Sequence, residues 1–211
     1  MRYIILGDSI AFGFNDIKNK GWAGRLKKHT NRINKDKFSR LTRLNPLKRK
    51  VFRNYSVPGY TSRDLLRIIN KKLKKHLKFK KENTIIIAIG TNDSKVDFLN
   101  PIKNISEIEF KMNILRLIKT SKIYAKKVII LGLLPVYQIK TTPIRKKIYY
   151  YNKRIKKYNE ILKICAKQEK IYFKDFFNNW FKKDIKSLFK DGLHPDNIAH
   201  QIYFEEIKNI L

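Results

Sequence analysis

Cysteine is nearly absent from this 211-residue chain. Cys165 stands alone, which excludes an intrachain disulfide, and its place in a helical stripe reads as a buried thiol. Acidic residues are scarce as well: 17 aspartates and glutamates face 49 lysines and arginines, for a formal net charge of +32. No apolar run approaches the length of a membrane span. A strand-like segment begins at Arg2 and leaves no room for an amino-terminal signal peptide, so a cytoplasmic location is expected. Internal repeats, a Gly-Ser linker and a phosphate-cradling Gly-x-x-x-x-Gly-Lys motif are all missing. What remains fits one domain over residues 1–211, long enough to bury a sizeable core.

Four short polar motifs stand at the ends of strand-like or loop segments. They are Gly7-Asp8-Ser9-Ile10, Asn54 to Gly59, Gly90-Thr91-Asn92-Asp93, and Asp191-Gly192-Leu193-His194-Pro195. Together they hold what acyl transfer needs: a hydroxyl nucleophile, an imidazole base, a carboxylate to orient it, and donors for an oxyanion. Ser9 follows the apolar run Tyr3 to Leu6, where a turn lifts its hydroxyl clear of the sheet edge; the alternative is a serine that only caps a helix. Asp8 reads as a local turn-stabilising carboxylate. Asn92 follows Thr84 to Ile89, a continuous apolar run of the kind covered on both faces in parallel sheets. Its amide is a candidate oxyanion donor, with an Asx-turn as the alternative. Gly59 offers a backbone N–H with no side chain in the way, or is simply a loop glycine after Pro58. Asp191 and His194, three residues apart, let a carboxylate reach Nδ1 while Nε2 points at a serine. A metal pair is the competing reading, but no second cluster of His, Cys and carboxylates completes one. His29, His76 and His200 lack such context and read as surface or helix residues.

On these four blocks the chain resembles the SGNH or GDSL hydrolases, from residue 3 to about residue 205. Ser9 matches the nucleophile of the first block, Gly59 the glycine of the second, Asn92 the asparagine of the third, and Asp191 and His194 the last. Ile10 replaces the usual leucine, and Ala199 stands where a glycine is common. The resemblance implies a serine hydrolase of carboxylic esters, acyl or acetyl. Ser9, His194 and Asp191 would form its triad, and Ser9, Gly59 and Asn92 its oxyanion hole. Neither a metal nor an organic cofactor is implied. It also implies a flavodoxin-like strand order, 2-1-3-4-5.

The alternation of strand-like and helix-like segments argues for an α/β class. Strands are expected near 2–7, 51–57, 84–89, 127–133 and 171–174, and helices near 22–32, 62–80, 106–125, 144–168 and 196–210, giving a three-layer α/β/α sandwich. Ile144, Ile148, Tyr151, Ile155, Tyr158 and Leu162 recur at helical spacing and place one apolar stripe of the fourth helix against the core. Arg145-Lys146-Lys147 and Lys153, Arg154 and Lys157 then fall on its solvated side. Loops 94–105 and 134–143, bent by Pro101, Pro135 and Pro143, would shape selectivity. A second basic segment, 33–50, reads as an insertion.

The charge admits two readings. One is non-specific association with an anionic partner: a phospholipid surface, nucleic acid or a cell-envelope polymer. The other is a compositional bias, since Lys, Ile, Asn, Tyr and Phe are all abundant. Two functions follow: an esterase acting on small-molecule, lipid or carbohydrate esters, or a basic binding module built on a hydrolase fold.

Overall fold

The structure, a computed structural model, describes residues 2–37, 51–144 and 147–211. Its strands are β1 (Arg2–Gly7), β2 (Val51–Asn54), β3 (Asn83–Ala88), β4 (Val96–Asp97), β5 (Lys127–Leu131), β6 (Ile148–Tyr149) and β7 (Tyr172–Lys174). Five of them form one wholly parallel sheet in the order β2-β1-β3-β5-β7. Counting only that sheet's members, this is the expected 2-1-3-4-5. β4 and β6 pair separately, antiparallel.

The helices are α1 (Ser9–Phe12), α2 (Gly21–Lys37), α3 (Ser62–Leu73), α4 (Glu107–Tyr124), α5 (Gln138–Thr141), α6 (Asn152–Gln168), α7 (Phe177–Phe181), α8 (Ile185–Leu188) and α9 (Asn197–Lys208). Because strand side chains alternate between faces, the continuous apolar strands feed two cores. Ile4, Leu6, Ile85 and Ile87 pack with Leu65 of α3, Phe110 of α4 and Leu162 of α6. Tyr3, Ile5, Ile86 and Ile129 pack with Trp22 of α2 and Phe204 of α9. The sheet is therefore covered on both faces, as the continuous apolar runs of β1, β3 and β5 require. Entry into α3 is set by a capping box in which Thr61 N–H donates to Asp64 Oδ2 at 3.0 Å. Among the described residues no helix is long and apolar enough to cross a membrane.

Several expectations need correction. The fourth helix starts at Asn152, not at residue 144. Ile144 and Ile148 form an antiparallel bridge instead, and Ile148–Tyr149 pairs with β4. Both isoleucines still pack on the core, so the helical spacing was coincidental: a bridge also brings residues four apart onto one core. Lys147 sits in that turn, and Arg145 and Lys146 lie outside the described residues. Arg154 is half-buried rather than solvated, donating to the carbonyls of Ser94 (2.9 Å) and Ile105 (3.2 Å). The helix expected over 62–80 ends at Leu73 and continues as a 3₁₀ segment, Lys74–Glu82. β2 stops at Asn54, although Tyr55 and Val57 N–H still bond to Ile5 and Gly7 carbonyls. Of the two readings given to His76 and His200, surface or helix, the helix holds, and both are buried. The basic insertion begins as the end of α2, and its residues 38–50 lie outside the described residues.

Phe110 shows how the core supports a loop. It is fully buried, its ring lies 4.9 Å from that of Tyr158, and a Cβ at Gly90 would approach its Cζ to 2.9 Å. Phe110→Ala should cost about 3–5 kcal/mol of stability, read as a shift in the urea unfolding midpoint; a loss under about 1 kcal/mol would mean the site collapses freely.

Candidate active site

Ser9 is placed by close packing at the end of β1. A Cβ at Gly7 would meet the Ala88 carbonyl oxygen and Ala11 Cβ at 2.6 Å, so only glycine lets the chain pass there. Asp8, buried, then caps α1 by accepting from Ile10 N–H at 2.9 Å, the local role expected of it. Burial pushes its carboxyl up to about 6, against the pull of that N–H. Gly13, at φ 97°, closes α1 in the left-handed conformation. Ser9 is thus the first residue of a short helix, where backbone N–H groups have no intrahelical partner.

The last motif folds as a tight turn before α9. Asp191 Oδ1 accepts from the N–H groups of Leu193 (2.9 Å) and His194 (2.8 Å). Its Oδ2 lies 2.7 Å from His194 Nδ1, and His194 Nε2 lies 2.9 Å from Ser9 Oγ. Burial opposes ionisation of Asp191, but the His194 side chain and these two N–H groups outweigh it and hold the carboxyl below its ordinary range. An ionised carboxylate only accepts, so Nδ1 carries the proton; in the neutral ring Nε2 then accepts from the Ser9 hydroxyl. Among the described residues no group of three or more His, Cys or carboxylates is arranged to hold a metal ion.

The remaining two blocks meet through Tyr60. Val57-Pro58-Gly59-Tyr60 is a turn closed by Tyr60 N–H on the Val57 carbonyl (3.2 Å), with Gly59 at φ 83° and exposed. Proline second and a positive-φ glycine third suit a type II turn, which leaves the glycine N–H outside its own closing bond. The Tyr60 carbonyl accepts from Asn92 Nδ2 at 3.0 Å, and Tyr150 Oη donates to Asn92 Oδ1 at 3.0 Å. Those contacts fix the amide's orientation and leave one Nδ2 hydrogen uncommitted.

A family model for the GDSL-like lipases and acylhydrolases matches residues 5–202. The chain belongs to that family. It is a carboxylic ester hydrolase of the GDSL type. No curated protein matches the sequence. Among solved structures, it is similar to a lipase/acylhydrolase from Enterococcus faecalis, with 22% identity and a TM-score of 0.67 over 100% of this chain and 97% of that one. It is also similar to an acetylxylan esterase from Geobacillus stearothermophilus (17%, TM-score 0.69, 99% and 92% of the two chains). An alpha/beta hydrolase enzyme from the metagenome of Lake Arreo, Spain, gives 18% and 0.68 over 98% and 92%. At such identities the likeness bears on the fold.

The Ser9–His194–Asp191 cluster has further partners that motif spacing does not reveal. Asn15 Nδ2 donates to Asp191 Oδ2 at 3.1 Å, and the Phe14 ring lies 4.5 Å from the His194 ring. Asn15 sits at φ 66°, a conformation asparagine tolerates, which is the only local hint of its role. Asp93, beside Asn92, is fully buried and accepts from Ser62 N–H (2.9 Å) and Ser62 Oγ–H (2.5 Å), tying this loop to the start of α3.

Burial pushes the Asp93 carboxyl up to about 7, against the Ser62 bonds and with help from the charge of Asp8. A raised folded-state value means that its stabilising contribution is complete below the ordinary value near 3.8 and is lost as pH rises through about 7. Asp8 acts with the same sign, whereas burial lowers His76 and His200 to about 4, so these favour the fold as pH rises. Asp93→Asn retains an acceptor for Ser62 and removes one titration. Its Tm relative to wild type should therefore climb between pH 4 and pH 8; a difference that stays flat across that range would contradict this assignment.

Proposed function

We propose that Ser9, His194 and Asp191 act as a catalytic triad that cleaves carboxylic esters through an acyl-enzyme. The observation that carries this reading is the unbroken chain of hydrogen bonds, 2.9 Å then 2.7 Å, joining a serine and a histidine 185 residues apart to one carboxylate. Ser9 Oγ attacks the ester carbonyl carbon while His194 Nε2 takes its proton. Asp191, kept ionised, holds the imidazole in the productive tautomer and stabilises its charged form. The oxyanion is received by the Ser9 and Gly59 N–H groups and by the uncommitted hydrogen of Asn92 Nδ2. As the C–O bond breaks, Nε2–H passes its proton to the departing alcohol. A water, deprotonated by the same nitrogen, then attacks the acyl carbon, and the acid leaves as Ser9 recovers its hydrogen.

The substrate class is a small-molecule, lipid or carbohydrate ester. The acetylxylan esterase neighbour favours including sugar acetates in any screen. A second reading rests on the net charge of +32: a basic module that associates with nucleic acid or another anionic polymer, with an affinity that falls steeply with salt and is indifferent to Ser9.

Ser9→Ala should abolish labelling by a fluorophosphonate probe together with turnover of p-nitrophenyl acetate. Asn92→Ala should leave labelling possible but lower kcat on the order of 10²–10³-fold, as loss of one oxyanion donor does. Full turnover by the Ser9 variant would remove the triad from consideration.

A further inference from the structure

A cleft of about 920 Å³ opens between the α1–α2 segment and β2, reaching the candidate triad through Phe12 and Phe14. Its volume is at the upper end of what buries a drug-sized ligand, so an acetyl group alone would leave most of it to water. The lining is apolar where it adjoins the triad. Phe12 belongs to the same short helix as Ser9, and Phe14 has its ring against His194. Ile17 and Phe52 extend the surface outward. Phe12 is 50% exposed and Ile17 89%, large apolar side chains held in contact with water beside a reactive centre. At the rim stand Lys20, Lys27 and Arg53, none paired with a carboxylate among the described residues. Next to Gly7, the buried Ser56 Oγ lines the cleft without a hydrogen-bond partner among those residues.

We infer that this cleft binds the apolar chain of an amphiphilic ester, with an anionic group of the same molecule held at the cationic rim. The inference rests on the triad reading and narrows it: the preferred substrate carries a medium or long acyl chain and a negative charge, not a neutral sugar acetate. The apolar wall of Phe12, Phe14, Ile17 and Phe52 supplies affinity that grows with chain length, about fourfold for each methylene buried. Lys20, Lys27 and Arg53 select the sign of the attached charge, and Ser56 offers a polar contact near the ester itself.

Calorimetric titration of the wild-type protein with sodium decanoate, sodium acetate and decyltrimethylammonium, all below micelle formation, tests binding without any catalytic step. Decanoate should bind at least about a hundredfold more tightly than acetate and about tenfold more tightly than the cationic amphiphile. Ile17→Asp, a change at an exposed position, should weaken decanoate about tenfold or more, and Lys27→Glu with Arg53→Glu should erase the preference for the anion. Equal affinity for decanoate and acetate would overturn the proposal. So would decanoate binding that ignores Ile17→Asp, because that is what adsorption to a generally basic surface gives. Turnover of p-nitrophenyl decanoate against the acetate separates the two claims. Hydrolysis of both with no chain preference sinks the cleft assignment and leaves the triad, whereas decanoate binding without hydrolysis of either ester sinks the triad.

Discussion

The candidate site depends on the docking of the last helix, α9, against α2 and the segment that leads into it. Ser9 and His194 come from opposite ends of the chain, and no local geometry brings them within reach. Arg25 of α2 makes that contact specific. It is buried, pairs with Asp16, and also donates to the Asn197 carbonyl (3.1 Å) and Gln201 Oε1 (2.8 Å) on α9. A buried ion pair of this kind contributes little net stability, but removing one partner leaves an uncompensated charge, so it acts mainly to specify a single docked arrangement. His200 completes the junction: its Nδ1 lies 3.3 Å from Trp22 N–H and its Nε2 3.1 Å from the Phe14 carbonyl. The first contact needs an acceptor and the second a donor, so the ring must be neutral, in agreement with burial lowering it to about 4. Because Phe14 and Asn15 belong to the segment gripped in this way, the same junction sets both the ring packed on His194 and the amide on Asp191.

The shortage of acids takes on meaning in this context. Every aspartate whose side chain is described accepts a hydrogen bond: Asp8, Asp64, Asp184 and Asp196 at helix starts, Asp97 and Asp175 in turns, Asp16 and Asp93 in buried ties, and Asp191 in the site. Few carboxylates remain to balance the lysines, most of which lie on the surface. The positive field is thus general, and the rim of the cleft lined by Phe12 and Phe14 is one place where it adjoins apolar surface.

The sheet and the four blocks were legible because each rests on a short-range signal. Ile85 to Ile87 form an unbroken β-branched run, and Asp191 and His194 are three residues apart. The opening of the fourth helix was misread because Ile144 and Ile148 satisfy helical spacing while the chain between them makes a bridge. Periodicity does not distinguish the two when both put the same residues on the core. Arg154 was placed on the solvated side of its helix, and the surface-or-helix reading of His76 and His200 left their burial open; each has hydrogen-bond partners far along the chain that hold it in the fold. Asn15 and Phe14 escaped notice for a related reason: their contacts to Asp191 and His194 exist only once α9 has docked.

The central claim is that this docking presents His194 to Ser9 with the proton on Nδ1 and the lone pair on Nε2. Nitrogen-15 and proton NMR of protein labelled at histidine measures this directly. The account predicts a slowly exchanging proton on His194 Nδ1, far downfield of the amide region, with an unprotonated Nε2 above the ring's titration; Asp191→Ala should abolish the downfield signal and Ser9→Ala should retain it. A His194 ring protonated on Nε2, or one whose Nδ1 proton exchanges as freely as that of an exposed imidazole, would contradict it.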